Sequence, residues 1–296
     1  MNKNIVITGG TGFVGSNLAE YLLKKGFKIF LITRANSNLS NLENIIDDVE
    51  VFSYDSSLNK LISFFEKVNP NCVFHLASNF IAEHQPNQID SLIESNVTFG
   101  LHVLEAMKES GIKKLINTGT SWQHYKNEKY NPVCLYAATK QAFESLIEYY
   151  IKVENFKVIT LKLFDTYGEN DKRPKLINVL NKFADDKTEL KMSLGAQPLN
   201  LVHIEDVCNA FFIAYNNFIF LKKCTHKKYF VKNSETYTLK QVISIFEKVT
   251  NKKLLIDWGG RKYRKREIMK LSNKVEILPN WAAKISLIEG LKRYKN

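Results

Sequence analysis

Tyr136 and Lys140 stand four positions apart in LYAATK, residues 135–140, at the start of a helix-like run. Four residues is close to one helical turn, so both side chains leave the same face and can meet. A phenol beside an ammonium can hand over a proton, and the same spacing also suits two residues on a solvated face. A second chemical signal is TGGTGFVG, residues 8–15, where Gly10, Gly12 and Gly15 fit GxGxxG and Gly9, Gly12 and Gly15 fit GxxGxxG. Glycines at this spacing let the backbone approach a pyrophosphate, and a following helix N-terminus supplies unpaired N–H groups and positive dipole.

Such a turn needs a strand before it and a helix after it. NIVIT, residues 4–8, is a short apolar, β-branched run. NLAEYLLKKG follows the glycines with helical periodicity, and Gly26 falls where a helix would stop. The alternation continues. KIFLIT, VEVFSY, NCVFHLAS, KKLINTGT and KVITLKLF read as further strands, with helical stretches such as IDSLIESNVTFGLHVLEAMKESG between them. Repeated βα units imply a mostly parallel sheet covered on both faces. The expected fold is α/β: a Rossmann-type doubly wound parallel sheet with a smaller C-terminal substrate-binding cap. Residues 1–168 are assigned to the dinucleotide-binding domain, with 200–222 returning to it. Residues 169–296, including the helix-like YTLKQVISIFEKVT and WAAKISLIEGLKRY, are assigned mainly to the cap.

The 296 residues are 45% hydrophobic, enough to bury a sizeable core, and carry a net charge of +12. Most lysines are dispersed, and the one dense cluster is RKYRKRE, Arg261 to Glu267. A nucleic-acid surface would interleave more stacking aromatics with its basic residues, so no nucleic-acid partner is expected. No signal-peptide pattern opens the chain and no apolar run reaches the ~20 residues of a membrane span. Cys72, Cys134, Cys208 and Cys224 are scattered, which suits reduced thiols in the cytoplasm, and His75, His84, His124 and His203 lack zinc-site spacing. The second strand ends in Thr33, Arg34 and Asn36 with no acid, where NAD-binding turns usually carry one for the ribose 2′-hydroxyl. Arg34 suits a 2′-phosphate, so NADPH is preferred to NADH as cofactor.

Read in order, TGGTGFVG, HLAS after the fourth strand, NTGTS after the fifth and then YAATK resemble the extended short-chain dehydrogenase/reductase family of nucleotide-sugar epimerases, dehydratases and reductases. LKLFDTYGEN is similar to the family's LRxxNVYGP. LNLVHIEDV resembles its segment before a structural acid, and LPNWAAKISLIEGL its LGWxPxxxLxxGL. The resemblance spans nearly the whole chain. It implies that Tyr136 is a general acid, and that Lys140 holds the nicotinamide ribose and lowers the tyrosine pKa. A hydroxyl that hydrogen-bonds the substrate carbonyl is also implied. Counting from the strand LIN gives Thr120, the preferred assignment; counting back from Tyr125 gives Ser121. Implied cofactor contacts are Gly9, Gly12, Phe13, Val14 and Gly15 in the turn, Leu76, Ala77 and Ser78 in HLAS, and Thr118. Asp55 resembles the family acid that contacts adenine, with Ser56 beside it, although an Asp there is also a good helix cap. Asn96 falls in a helix expected to run beside the cofactor.

The dehydratases follow the Thr with an Asp-Glu pair, whereas here Ser121, Trp122 and Gln123 follow. WQHY resembles 4-ketoreductases of CDP- or dTDP-linked 4-keto-6-deoxyhexoses, the CDP-abequose and CDP-paratose synthase type. Gln123 therefore joins Thr120 and Ser121 as a candidate substrate contact. Arg264, three residues before Glu267 as in the family's C-terminal segment, and Arg173 are candidates for a sugar-nucleotide diphosphate, which a guanidinium grips bidentately. Asp165 and Glu169 depart from the family's Asn and Pro. The implied function is NADPH-dependent 4-ketoreduction, with an NAD-retaining epimerase and a non-catalytic dinucleotide sensor as alternatives. The family also implies a homodimer built on the helix of Lys140, in which Phe143, Leu146, Ile147 and Tyr150 could pack either a core or the interface.

Overall fold

The computed structural model describes residues 2–294. Its strands in chain order are β1 (Asn4–Thr8), β2 (Lys28–Arg34), β3 (Val49–Tyr54), β4 (Cys72–His75), β5 (Lys114–Thr120), β6 (Lys157–Leu163), β7 (Asp165–Tyr167), β8 (Glu189–Met192), β9 (Pro198–Leu199), β10 (Leu201–His203), β11 (Thr225–Val231), β12 (Tyr237–Thr238), β13 (Leu255–Trp258) and β14 (Glu276–Ile277). Eight of them form one parallel sheet in the order β3-β2-β1-β4-β5-β6-β11-β14. Strand order reverses between β1 and β4, which opens a crevice at their carboxyl ends, where nucleotides bind in such sheets.

Helices cover both faces, as the apolar strand runs require. Ile5 and Ile7 of β1 pack towards α1 (Phe13–Lys24) and the later helix at Ile204–Asn216, while Val6 points to the other side. On that side lie α2 (Leu58–Val68), the short α3 (Ile89–Ile93) leading into α4 (Phe99–Glu109), and α5 (Leu135–Glu154). The run expected as one helix over 89–111 is interrupted by a π-helical turn at Glu94–Thr98. α4 and α5 approach closely because Gly100 leaves room for the Phe143 ring, where a Cβ would collide. Phe143, Ile147 and Tyr150 are buried in this core, so of the four residues considered for core or interface these three belong to the core. The outward face of α5 exposes Tyr149 and Val153 instead.

A separate apolar cluster forms the cap from α6 (Leu176–Asp186), α8 (Leu239–Thr250) and α9 (Leu287–Arg293), with α7 (Ile204–Asn216) remaining on the main sheet. The small pairs β8 with β13 and β9 with β12 add to it. Two segments expected in the cap lie elsewhere: β11 and β14 extend the main sheet, because Tyr229, Phe230 and Val231 find apolar partners there. WAAKIS is not helical. Trp281 instead anchors that loop, donating from Nε1 to the Asp206 carbonyl at 3.0 Å, while the Asp206 carboxylate accepts from the N–H groups of Lys284 and Ile285. Among the described residues no helix is long and apolar enough to cross a membrane.

Candidate active site

β1 ends at Thr8, and the chain turns back through Gly9, whose φ of +72° suits only glycine without strain. A Cβ at Gly9 would lie 2.6 Å from the Ala77 nitrogen, and one at Gly15 would collide with the Gly9 carbonyl oxygen. The glycines thus let α1, β1 and the loop after β4 meet. Gly12 is the N-cap of α1 and offers no side-chain acceptor, so the first N–H groups of the helix are left to face the crevice. A cavity of about 460 Å³ opens there. Gly9, Gly12, Phe13, Val14, Gly15, Leu76, Ser78, Thr118, Thr120, Ser121, Tyr136 and Lys140 all line it. Such a cradle, with unpaired N–H groups and no room for a Cβ, fits a dinucleotide pyrophosphate.

Tyr136 and Lys140 lie on the inner face of α5, 9% and 1% exposed. Burial pushes the Tyr136 phenol up to about 12, against a hydrogen bond from Ser78. Burial pulls the Lys140 ammonium down to about 8, opposed by the Glu144 carboxylate. Loss of solvation dominates both groups, so Tyr136 is raised rather than lowered as expected from Lys140. At neutral pH the phenol holds its proton, the state a proton donor needs.

Asn96 explains the π turn. Its carboxamide donates to the Asn79 carbonyl and to Thr139 Oγ1, each at 3.0 Å, and accepts from the Asn79 N–H at 2.7 Å and from Ser78 Oγ at 3.1 Å. Thr139 Oγ1 donates in turn to the Tyr136 carbonyl at 2.8 Å. Asn96 does not line the cavity; it ties the loop after β4 to the first turns of α5.

Thr120 Oγ1 accepts from the Trp122 N–H at 3.2 Å, which leaves its own proton free to donate into the cavity. Ser121 lies beside it and lines a second cavity as well, about 450 Å³, between the sheet and the cap. Phe80, Trp122, Phe164, Asp165 and Lys175 also line both cavities and form the seam between them. The Phe80 ring packs edge-on against Tyr136 at 5.0 Å and Trp122 at 5.5 Å, with Lys175 Nζ 3.7 Å from its centroid. Burial raises the Asp165 carboxyl above its ordinary range although Lys175, Arg264 and Arg173 pull it down. Burial likewise lowers Lys175, against Asp165.

Several other expected residues lie apart from the cavities. Arg34 is exposed at the end of β2, Asp55 is held by Lys60 at 2.5 Å and caps the Ser57 N–H at 3.1 Å, and Ser56 is exposed beside it. Ala77 contributes its backbone to the turn, donating to Thr8 Oγ1 at 3.1 Å. Gln123 is fully buried and does not reach the substrate side. Its carboxamide oxygen accepts from the Thr120 N–H at 3.0 Å, and its nitrogen donates to Gln141 and Glu144 at 2.8 and 2.7 Å. Glu169 faces His203 at 3.1 Å rather than either cavity. Arg173 was expected on the substrate, yet it lines the first cavity. Asp171 grips it through two 2.8 Å bonds, and it lies over the Phe13 ring at 4.5 Å, next to the glycine turn. Arg264 lines the second cavity, 5.4 Å from the Trp122 ring, and a turn in which Glu267 accepts from its N–H at 3.2 Å holds it there. Phe80 and Lys175 escaped the sequence reading: Phe80 has no periodic context, and the only signal for Lys175 was its place beside Arg173 in DKRPK.

A CDP-abequose synthase of Yersinia pseudotuberculosis is 26% identical over 271 residues, covering 90% of this chain and 90% of its own. A UDP-glucuronate 4-epimerase of Thermodesulfobacterium geofontis is 25% identical, over 98% of this chain and 94% of its own. The crystal structure of UDP-glucose 4-epimerase from Thermotoga maritima with UDP-glucose superposes with a TM-score of 0.84 at 20% identity, over 98% of this chain and 96% of that one. Residues 5–222 match the NAD dependent epimerase/dehydratase family, and the chain, with its Rossmann-type sheet and glycine turn, belongs to that family.

Proposed function

We propose that this protein reduces the C4 carbonyl of a nucleotide-linked 4-keto-6-deoxyhexose with NADPH, in making a deoxysugar for a surface polysaccharide. The observation that carries this is the turn after Thr120. It lies at the seam of the two cavities and presents Ser121 and Trp122, with no pair of carboxylates to remove and return the protons of a dehydration. The similarity to a CDP-abequose synthase supports the same reading. Bound against the glycine turn and Lys140 in the first cavity, a nicotinamide cofactor would supply the hydride. Thr120 donates a hydrogen bond to the C4 oxygen and orients the carbonyl. As charge develops on that oxygen, the protonated Tyr136 phenol gives up its proton, and the Lys140 ammonium offsets the phenolate left behind. Lys140 also holds the nicotinamide ribose. Arg173 and the N-terminus of α1 take the dinucleotide phosphates, Arg34 the 2′-phosphate, and Arg264 the diphosphate of the sugar nucleotide. Phe80 and Trp122 close the seam against water. A cytoplasmic homodimer through the outer face of α5 completes this reading.

The test follows reduced-nicotinamide absorbance with CDP-, dTDP- and GDP-linked 4-keto-6-deoxyhexoses, with products weighed by mass spectrometry. Stoichiometric NADPH loss, faster than NADH loss, with a product two hydrogens heavier is expected. Sugar conversion without cofactor loss would instead make the protein an epimerase that retains its cofactor, as the similarity to a 4-epimerase would have it. Silence across the panel would overturn the substrate class. Tyr136→Phe should lose on the order of 10²–10⁴ in turnover, the range for a positioned general acid, and still bind NADPH.

A further inference from the structure

The densest cluster of titratable groups outside the cavities lies beneath α5. Glu144 and Lys162 are each 1% exposed, and Glu144 Oε1 lies 3.2 Å from Lys162 Nζ while accepting from Gln123 Nε2 at 2.7 Å. Glu144 Oε2 is 3.2 Å from Lys228 Nζ. Lys162 Nζ also meets His124 Nε2 at 3.0 Å. On the far side, Glu148 takes His226 at 2.6 Å and Lys228 at 3.7 Å. None of these side chains lines either cavity.

Two connections run from Glu144 to the catalytic group. The first is a chain of two hydrogen bonds: Glu144 accepts from the Gln123 amide, whose oxygen accepts from the Thr120 N–H at 3.0 Å. The second is electrostatic. Glu144 follows Lys140 by one turn on the same buried face of α5, and among the described residues it is the carboxylate that acts on that ammonium. The Lys140 charge also reaches His75 on β4, whose ring burial keeps neutral. Burial pushes Glu144 up, yet Lys162 from β6 and Lys228 and His226 from β11 outweigh it and hold the carboxyl below its ordinary range. It is charged whenever the site works.

We propose that Glu144 is a positioning residue for both arms of the catalytic group, fixing the Thr120 turn through Gln123 and supplying the negative charge against which the Lys140 ammonium is held. The proposal rests on the reading of Thr120, Tyr136 and Lys140 as catalytic. An ion pair that only stabilised the fold would have no such reach, and its removal would lower stability without touching the titration of the site.

Glu144→Gln keeps the shape and removes the charge. Glu144→Gln with Lys162→Met also removes the buried one of the two cations the first change strands, Lys228 keeping Glu148, and gives a second variant in which folding is retained. Lys140 titration is read by NMR of lysine ¹³Cε in the ligand-free protein, assigned with Lys140→Arg, and compared with the pH profile of kcat/KM. In both variants the Lys140 titration and the alkaline limb of activity should move down together by about one unit, roughly tenfold less ammonium in the alkaline range. Gln123→Leu should lower kcat with KM for NADPH unchanged and leave the limb where it was, since the charge remains. A wild-type titration and limb in the double variant overturns the electrostatic arm, and wild-type kcat in Gln123→Leu overturns the other. If the protein is silent across the sugar panel yet the Lys140 titration still moves, Glu144 holds Lys140 as proposed and the reductase reading fails.

Discussion

Burial works on Tyr136 and Lys140 in opposite senses, keeping the phenol protonated and making the ammonium easier to lose. A proton donor backed by a cation needs both groups protonated. With Lys140 at about 8, kcat/KM for reduction should therefore be flat near neutrality and fall above that pH, tenfold per unit. A profile flat to pH 10 would contradict a lowered Lys140 ammonium acting in the reaction. Thr120 and Ser121 are told apart by their surroundings: the Thr120 oxygen already accepts from Trp122, which aims its proton, while Ser121 lies open to both cavities. Thr120→Ala should lower kcat by roughly 10²–10³, the range for loss of a preorganised donor, and Ser121→Ala by less than about tenfold. The reverse order in steady-state kinetics would transfer the role to Ser121.

At the scale of elements, the junction of β1 and β4 carries a built-in sensitivity to acid. His75 is fully buried, with Nδ1 3.0 Å from Thr8 Oγ1, and burial with the nearby Lys140 lowers it to about 3. The unfolded chain binds this proton near 6.5 and the folded one does not. Stability is thus full above about pH 6.5 and declines as pH falls towards 3, by several kcal/mol on the order of one kcal/mol per unit. His75→Asn should flatten the acid side of a denaturation-versus-pH curve; an unchanged curve would assign the acid loss to other groups. The π turn is the other informative element. It swings Asn96 inward, where four hydrogen bonds join the loop after β4 to the start of α5, two segments that the strand pattern alone leaves independent.

Over the whole molecule, Arg173 and Arg264 line two different, adjoining cavities. Arg173 belongs to the glycine turn and Arg264 to the cap. Arg264→Met should raise KM for the sugar nucleotide about 10- to 100-fold and leave the NADPH Kd unchanged, the size of one charged hydrogen bond; Arg173→Met should do the opposite. Equal effects of both changes on both ligands would contradict that division. Much of this architecture is legible in the chain itself. The first six strands with helices between them, the glycine turn and the Tyr136–Lys140 face follow from short apolar β-branched runs, the 3.6-residue helical period and local turn chemistry, all set by neighbours in sequence. Contacts between distant segments decided the rest. Gln123 was drawn away from the substrate because Glu144, 21 residues on, offers it a buried partner. Arg173 lines the first cavity because Asp171 and Phe13 hold it there, and Phe80, Asp165 and Lys175 form a seam only where the cap packs on the sheet. The direction of a side chain's local backbone is a property of its own stretch of sequence, whereas the partner it reaches and the solvent it loses depend on the whole fold.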